Sequence, residues 1–311
     1  MKRRDFLRMT VLTMCSTPVF SASTWADEVT ENVTNDVPLD KDLVAIFSDT
    51  HILNRPKAQE VVRVKTAIQK ILAMNPRPAT LLIYGDVAYD AGGVDTYRFV
   101  RELLEPIKKA GIHWEATMGN HDRLNDFQQI FPERFTKKSP IPNRYINVVE
   151  TPKADFILLD SYLKGQVRGE IEPEQRAWLV ETLKKYEKKP VFVGCHHPLC
   201  ETNLEVELRA CPGFAAYIHG HCHWWMKSES DNIPQICFPS VGCWGDMGFV
   251  MLNLTETEAT FIPNLNAYQL PGWYKKSEHL PEDYNDKDIH TTNVEKYLEQ
   301  LNDAIVTIKL P

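Results

Sequence analysis

The chain lacks any run of about 18 consecutive apolar residues, so no membrane-spanning helix is expected of it. It also lacks an excess of positive charge. Lys+Arg number 35 against 42 Asp+Glu, a formal net charge of −7, which speaks against general nucleic-acid binding, because that needs a basic face. No CxxC pair occurs among its seven cysteines, a spacing common in structural zinc sites, and no internal repeat is visible. What is there is ordinary for a globular protein of one or two domains: 43% hydrophobic and 25% charged residues over 311 positions. That composition excludes a disordered chain, a collagen-like fibre and a coiled coil.

Residues 1–26, MKRRDFLRMTVLTMCSTPVFSASTWA, set Lys2, Arg3, Arg4 and Arg8 ahead of a short, weakly apolar stretch at 9–20 and then small residues. This is the layout of a cleaved export signal rather than of a folded element. Arg3-Arg4-Asp5-Phe6-Leu7-Arg8 closely resembles the twin-arginine signal. Cleavage is expected after Ala26, with Thr24 as the small residue two before it; a lipoprotein reading of Cys15 is weaker, since Met14 is too large to precede a lipidated cysteine. The resemblance implies a periplasmic or secreted protein, carried by the twin-arginine export machinery already folded and often with a metal or cofactor inserted. Removing the segment takes the net charge from −7 to −10 and leaves Cys195, Cys200, Cys211, Cys222, Cys237 and Cys243. An oxidising destination permits disulfides. Six cysteines allow 15 pairings; Cys200–Cys211, in a loop region, is favoured, with zinc bound by thiols as the competing reading.

Residues 27–41 are polar and acidic and read as a linker. Leu43-Val44-Ala45-Ile46-Phe47 is a continuous apolar run, as in a strand buried on both faces. Val61, Val64, Ile68, Ile71 and Leu72 recur at helical spacing and stop before Pro76. Residues 80–84 form the next strand. A helix is predicted from about Thr96, with Asp95 as its N-cap and Pro106 limiting it. Strands are expected at 113–118, 145–149, 156–159, 191–194, 215–218, 236–238, 249–254 and 259–262, and Pro173 opens another helix. The early β-α-β alternation followed by strand-rich sequence predicts an α/β fold of two packed mixed β-sheets flanked by helices. The domain would cover 42–262. The polar segment 263–311, with a weak helical pattern near 294–305, reads as an appendage packed on it.

Five polar clusters sit where predicted strands stop: Asp49-Thr50-His51, Gly85-Asp86-Val87-Ala88-Tyr89, Gly119-Asn120-His121-Asp122, Val193-Gly194-Cys195-His196 and Gly220-His221-Cys222-His223. Each has an ordinary reading alone, as a turn with a solvated carboxylate or as an alternating strand. Together they offer oxygen and imidazole donors, which suit Zn, Mn and Fe better than soft metals. The i, i+2 spacing of Asp49/His51 and of His221/His223 would place each pair on one face of an extended segment, with Cys222 turned to the other side. The glycines before Asp86, Asn120 and His221 permit tight turns that let ligands converge.

The ordered set Asp-x-His, Gly-Asp, Gly-Asn-His-Asp, His and Gly-His-x-His, spread over about residues 43–262, resembles the calcineurin-like metallophosphoesterases. Leu158-Leu159-Asp160-Ser161, Gly169-Glu170, Pro173-Glu174-Gln175, Trp178-Leu179 and His196-His197-Pro198 make it most similar to class III cyclic-nucleotide phosphodiesterases and glycerophosphodiesterases. The resemblance implies a four-layer αββα sandwich with two divalent or trivalent transition metal ions, Fe, Mn or Zn. Asp49, His51 and His223 would hold one ion, Asn120, His196 and His221 the other, and Asp86 would bridge them. His121 would protonate the leaving group or steady the phosphoryl oxygens, oriented by Asp122. His197 would lie behind the ligands or face substrate. Arg123 would contact substrate phosphate, although a solvated surface arginine is the plainer reading.

The activity so implied is hydrolysis of small phosphodiesters, of cyclic-nucleotide or glycerophosphodiester type, by a hydroxide bridging the metals. The alternatives are an acid-phosphatase-like phosphomonoesterase on the same scaffold and a non-catalytic binding protein stabilised by metal or disulfides. Tyr89 completes Gly85-Asp86-x-x-Tyr89 as in purple acid phosphatases, but His51 takes the position such a tyrosine would fill, so Tyr89 reads as packing. Asp90 reads as a turn residue, Trp224, Trp225 and Trp244 as core or rim packing, His219 as a strand residue, and His113, His279 and His290 as surface.

Overall fold

The computed structural model describes residues 22–34, 36–89, 92–135, 139–269 and 294–311. The twin-arginine motif, Cys15, Asp90, His279 and His290 fall outside them. The first half of the chain forms α1 (Ala22–Asn32), β1 (Leu39–Phe47), α2 (Gln59–Leu72), β2 (Arg77–Tyr84), α3 (Val94–Lys109), β3 (His113–Thr117), α4 (Leu124–Ile130), β4 (Asn147–Glu150) and β5 (Asp155–Leu158). It continues with α5 (Pro173–Leu183), β6 (Val191–Gly194), α6 (Leu199–Thr202), α7 (Glu205–Arg209), β7 (Phe214–His219), β8 (Met226–Ser230), β9 (Ile233–Cys237), β10 (Gly245–Leu254), β11 (Glu258–Gln269), α8 (Val294–Asp303) and β12 (Val306–Lys309).

The strands make two six-stranded mixed sheets, in the orders β12-β11-β10-β1-β2-β3 and β4-β5-β6-β7-β9-β8. In the first, β1, β2 and β3 run parallel while β10 returns antiparallel. In the second, β5, β6, β7 and β9 are parallel. Alternation along β1 explains its unbroken apolar run. Val44 and Ile46 join Leu82, Phe156, Phe192 and Ile218 between the sheets, whereas Ala45 and Phe47 pack on the other side with Val64 and Ile68 of α2 and Leu103 of α3. A third core lies outside the second sheet, where Leu179 and Leu183 of α5 meet Ile157, Val193 and Tyr217. Three apolar layers between four structural ones give the expected αββα sandwich.

Four local expectations change. The stretch read as a linker carries most of α1 and the start of β1. Its polar residues cover the outer side of a helix whose Trp25 and Val29 pack on the core, and Lys109 and Arg77 donate to the carbonyls of Thr30 and Thr34. The cleavage point after Ala26 therefore falls inside α1. Helix α3 starts at Val94 after Gly93, with Asp95 in its first turn, and continues through Pro106 to Lys109. Burial of Val100, Leu103, Leu104 and Ile107 as one face carries the helix past the proline. Strand β11 runs beyond residue 262 through Pro263. At that point it is an edge strand, since β12 covers only Glu258–Phe261, and an edge tolerates a residue without N–H. The expected Cys200–Cys211 disulfide is absent: both thiols are free, Cys200 exposed and Cys211 buried beside the Leu183 and Tyr186 carbonyls.

Among the described residues no helix is long and apolar enough to cross a membrane.

Candidate metal centre

All five motif clusters lie just past the C-terminal ends of parallel strands: β1, β2 and β3 in one sheet, β6 and β7 in the other. Open α/β sheets place their ligand sites at such ends. Hydrogen bonds join the two sheets there. The His221 N–H donates to Asp49 Oδ2 (3.1 Å).

The backbone route differs from the extended one expected. Asp49, His51, Asp86, His221 and His223 all have positive φ, between 44° and 66°. The i, i+2 pairs converge because both members adopt the left-handed conformation, which is costly for residues with a Cβ and persists only where the surroundings enforce it. Here the enforcement is visible. Asp49 N–H donates to Gly85 O, His51 N–H to Asp86 O, the Thr50 hydroxyl to Val87 O and the Ser240 hydroxyl to Asp49 O. Two of the glycines serve close approach rather than a turn. A Cβ on Gly119 would meet Asp86 Oδ1 at 2.1 Å, and one on Gly220 would meet Ser48 Oγ at 1.9 Å.

Two sets of donors face one another across these turns. In the first, His223 Nε2 lies 3.1 Å from Asp49 Oδ1 and 3.3 Å from His51 Nε2. In the second, His196 Nε2 lies 3.2 Å from both Asn120 Oδ1 and His221 Nδ1. Asp86 stands between them, its Oδ2 3.3 Å from His196 Nε2 and 3.8 Å from His51 Nε2. Second nitrogens are pinned from behind: His196 Nδ1 donates to Tyr84 O (2.9 Å) and His223 Nδ1 to Cys243 O (2.8 Å). Such carbonyls fix the tautomer that leaves Nε2 free to ligate. His221 Nε2 lies 4.0 Å from Glu201 Oε1.

The electrostatics test whether cations fit. Burial would raise the Asp49 and Asp86 carboxyls, but the facing imidazoles of His223 and His196 hold both below the usual carboxylate range. Burial would lower His196, yet Asp86 and Asp49 bring it up to about 10. His51 and His221 are pushed down to about 3 and about 4, first by burial. The centre thus favours positive charge between its carboxylates while leaving other imidazoles neutral, with lone pairs available. Among the described residues, buried His51 Nδ1 finds no hydrogen-bond partner. An all-nitrogen-and-oxygen set of this kind suits borderline transition metals, so the donors present fit the two expected ions.

His121 lies beside this set, its ring centroid 5.1 Å from that of His51, stacked on Tyr89 at 5.6 Å. Asp122 is not placed to orient it. Both Asp122 oxygens are occupied by the N–H groups of Val87, Ala88 and Gly119 and by the Tyr97 hydroxyl, at 2.8–3.1 Å. Asp122 ties the loops after β2 and β3 together; burial, then Asp86, raises its carboxyl to about 6. His197 is likewise turned from substrate, with its nitrogens engaged by Ser161 Oγ (2.7 Å) and Val167 O (3.0 Å). Arg123 precedes α4 with an exposed side chain, and its N–H donates to Tyr97 Oη. Tyr89 packs against His51 edge to face. Trp244 stacks on His223 and meets His51 at 5.7 Å, forming a rim. Sequence reasoning missed Glu201 and the Tyr84 and Cys243 carbonyls; backbone atoms carry no signature in residue type.

The model of the calcineurin-like phosphoesterase family matches residues 43–225. The chain is similar to a probable cyclic nucleotide phosphodiesterase of Rhodococcus erythropolis, 27% identical over 63% of this chain and 70% of that protein. A cAMP/cGMP dual specificity phosphodiesterase of Mycobacterium tuberculosis is 25% identical over 64% of this chain and 66% of its own length. A glycerophosphodiester phosphodiesterase of Enterobacter lignolyticus is 23% identical over 54% and 62%. Alignment thus spans slightly less than two thirds of the last two. In fold, a dimetal phosphatase from Danio rerio superposes with a TM-score of 0.55 at 14% identity, over 73% of this chain and 97% of that one. A purple acid phosphatase from yellow lupin (Lupinus luteus) seeds does so with 0.52 at 14%, over 72% and 51%. With the family model matching more than half of its length, the chain belongs to the calcineurin-like phosphoesterases, metal-dependent hydrolases of phosphoric esters.

Proposed function

We propose that this chain hydrolyses small phosphodiesters, of cyclic-nucleotide or glycerophosphodiester type, at a centre of two transition metal ions. The observation that carries the reading is Asp86, whose Oδ2 lies within 3.8 Å of ligand nitrogens from both donor sets. Asp49, His51 and His223 would hold one ion and Asn120, His196 and His221 the other. Bound there, the ions supply Lewis acidity and a nucleophile available at neutral pH. The chain's own work would be to place Asp86 between the two donor sets, to aim Nε2 of His196 and His223 at the centre by anchoring Nδ1 on the Tyr84 and Cys243 carbonyls, and to set His121 where a leaving oxygen gains its proton. The names of the similar proteins in Rhodococcus, Mycobacterium and Enterobacter support a diester over a monoester.

Metal analysis of the purified protein should give close to two transition ions per chain, and bis(4-nitrophenyl) phosphate should be turned over faster than 4-nitrophenyl phosphate. Faster monoester turnover would favour the phosphomonoesterase. Full activity in metal-free protein would remove the mechanism, and cleavage of neither compound nor any cyclic nucleotide would favour a binding protein.

Export by the twin-arginine route to the periplasm or beyond is part of the same proposal, supported by residues 3–8. Replacing Arg3 and Arg4 together by lysine should retain the protein inside the cell; unchanged export would exclude the route.

A further inference from the structure

One cluster of ligating atoms lies outside the donor sets above. Parallel strands β7 and β9 end on the register partners His219 and Cys237, and Cys222 follows in the loop after β7. One ligand atom each from His219, Cys222 and Cys237 lie within 4.8 Å of one another, and Cys237 Sγ also lies 3.7 Å from Gly220 O. His219 Nδ1 donates to Gly220 O (2.9 Å), which leaves the Nε2 lone pair free. His219 and Cys237 are buried, whereas Cys222 is partly exposed and opens the cluster to solvent. Although Cys222 stands between two imidazoles of the phosphoesterase centre in sequence, its sulfur groups with His219 and with Cys237 of β9.

We propose that His219, Cys222 and Cys237 form a separate metal site for a thiophilic cation of the zinc(II) class, with a fourth position open on the Cys222 side. Two sulfurs and one nitrogen make a softer set than the oxygen and nitrogen donors of the phosphoesterase centre, so the two sites would sort metals by ligand type. Binding releases two thiol protons and adds one cation. Occupancy would clamp the loop carrying His221 and His223 to the end of β9.

Cobalt(II) reads this site directly, because thiolate ligation gives an intense near-ultraviolet charge-transfer band that oxygen and nitrogen ligands do not. Reduced, metal-free full-length protein titrated with cobalt(II) should develop that band to saturation at one equivalent, besides the weak visible bands of the other centre. Cys237→Ser and Cys222→Ser should each abolish it, His219→Ala should weaken cobalt binding at least tenfold, and Cys211→Ser should leave it intact. Cys237→Ser should keep the visible bands, which shows that the variant is folded. The proposal is overturned if no near-ultraviolet band forms, if the band survives loss of both cysteines, or if reduced protein binds no cobalt through sulfur while air oxidation lowers seven titratable thiols to five.

Discussion

At the scale of single residues, neighbours in sequence carry unlike duties. His121 touches the ligand set by its ring, whereas Asp122 spends its carboxylate on three backbone N–H groups and a hydroxyl. Truncation should separate the two roles. His121→Ala should lower diester kcat by about 10²–10⁴-fold with metal content and melting temperature unchanged. Asp122→Ala should destabilise the fold by about 3 kcal/mol or more, because buried donors lose their acceptor, and metal content should fall with it. Urea unfolding with metal analysis checks both; an inactive but fully stable Asp122→Ala would return that residue to a direct part in the chemistry. The candidate donors were legible in sequence as residue types, since metal chemistry restricts them to few, and the structure brings them together. The pairing of His121 with Asp122 was misread because the true partners of Asp122 are main-chain atoms.

At the scale of elements, long apolar runs and helical periodicities were legible wherever both faces or one stripe are buried, as in β1, β2 and α2. Strand β8, Met-Lys-Ser-Glu-Ser, was not, because it is an outer strand with little apolar burial. Left-handed backbone at five candidate donors was also hidden, being set by contacts between loops. Another loop shows what burial does to a charge. Asp160, just after β5, accepts the N–H groups of Tyr145 and Tyr162, while Gln175 of α5 bonds its main chain. Burial raises its carboxyl to about 6, above the value of about 3.9 in an unfolded chain. The folded state therefore holds the proton more tightly, and the stability this gives is full below pH 4 and lost as pH rises through 6. Asp160→Asn cannot titrate and lacks one acceptor. Its stability deficit relative to the unaltered protein should narrow by about 2–3 kcal/mol between pH 4 and pH 7. A deficit that widens with pH would contradict this origin.

At the scale of the whole molecule, the last described segment completes the first sheet. Strand β12 pairs with β11, Leu298 and Leu301 pack on the core between the sheets, the Trp225 indole N–H donates to Ala304 O, and Asn302 bonds both main-chain groups of Leu265. Deleting residues 294–311 should cost about 3 kcal/mol or more from lost burial and promote self-association through the bared β11 edge. Unfolding curves and light scattering would show it; an equally stable monomer would mean the segment is dispensable.

Four of the seven donors follow strands of one sheet and three follow strands of the other. An ion held across that seam would act as a rivet between two plates. Its escape would require the plates to part slightly, so the lifetime of the bound ion would gauge how often the sandwich breathes.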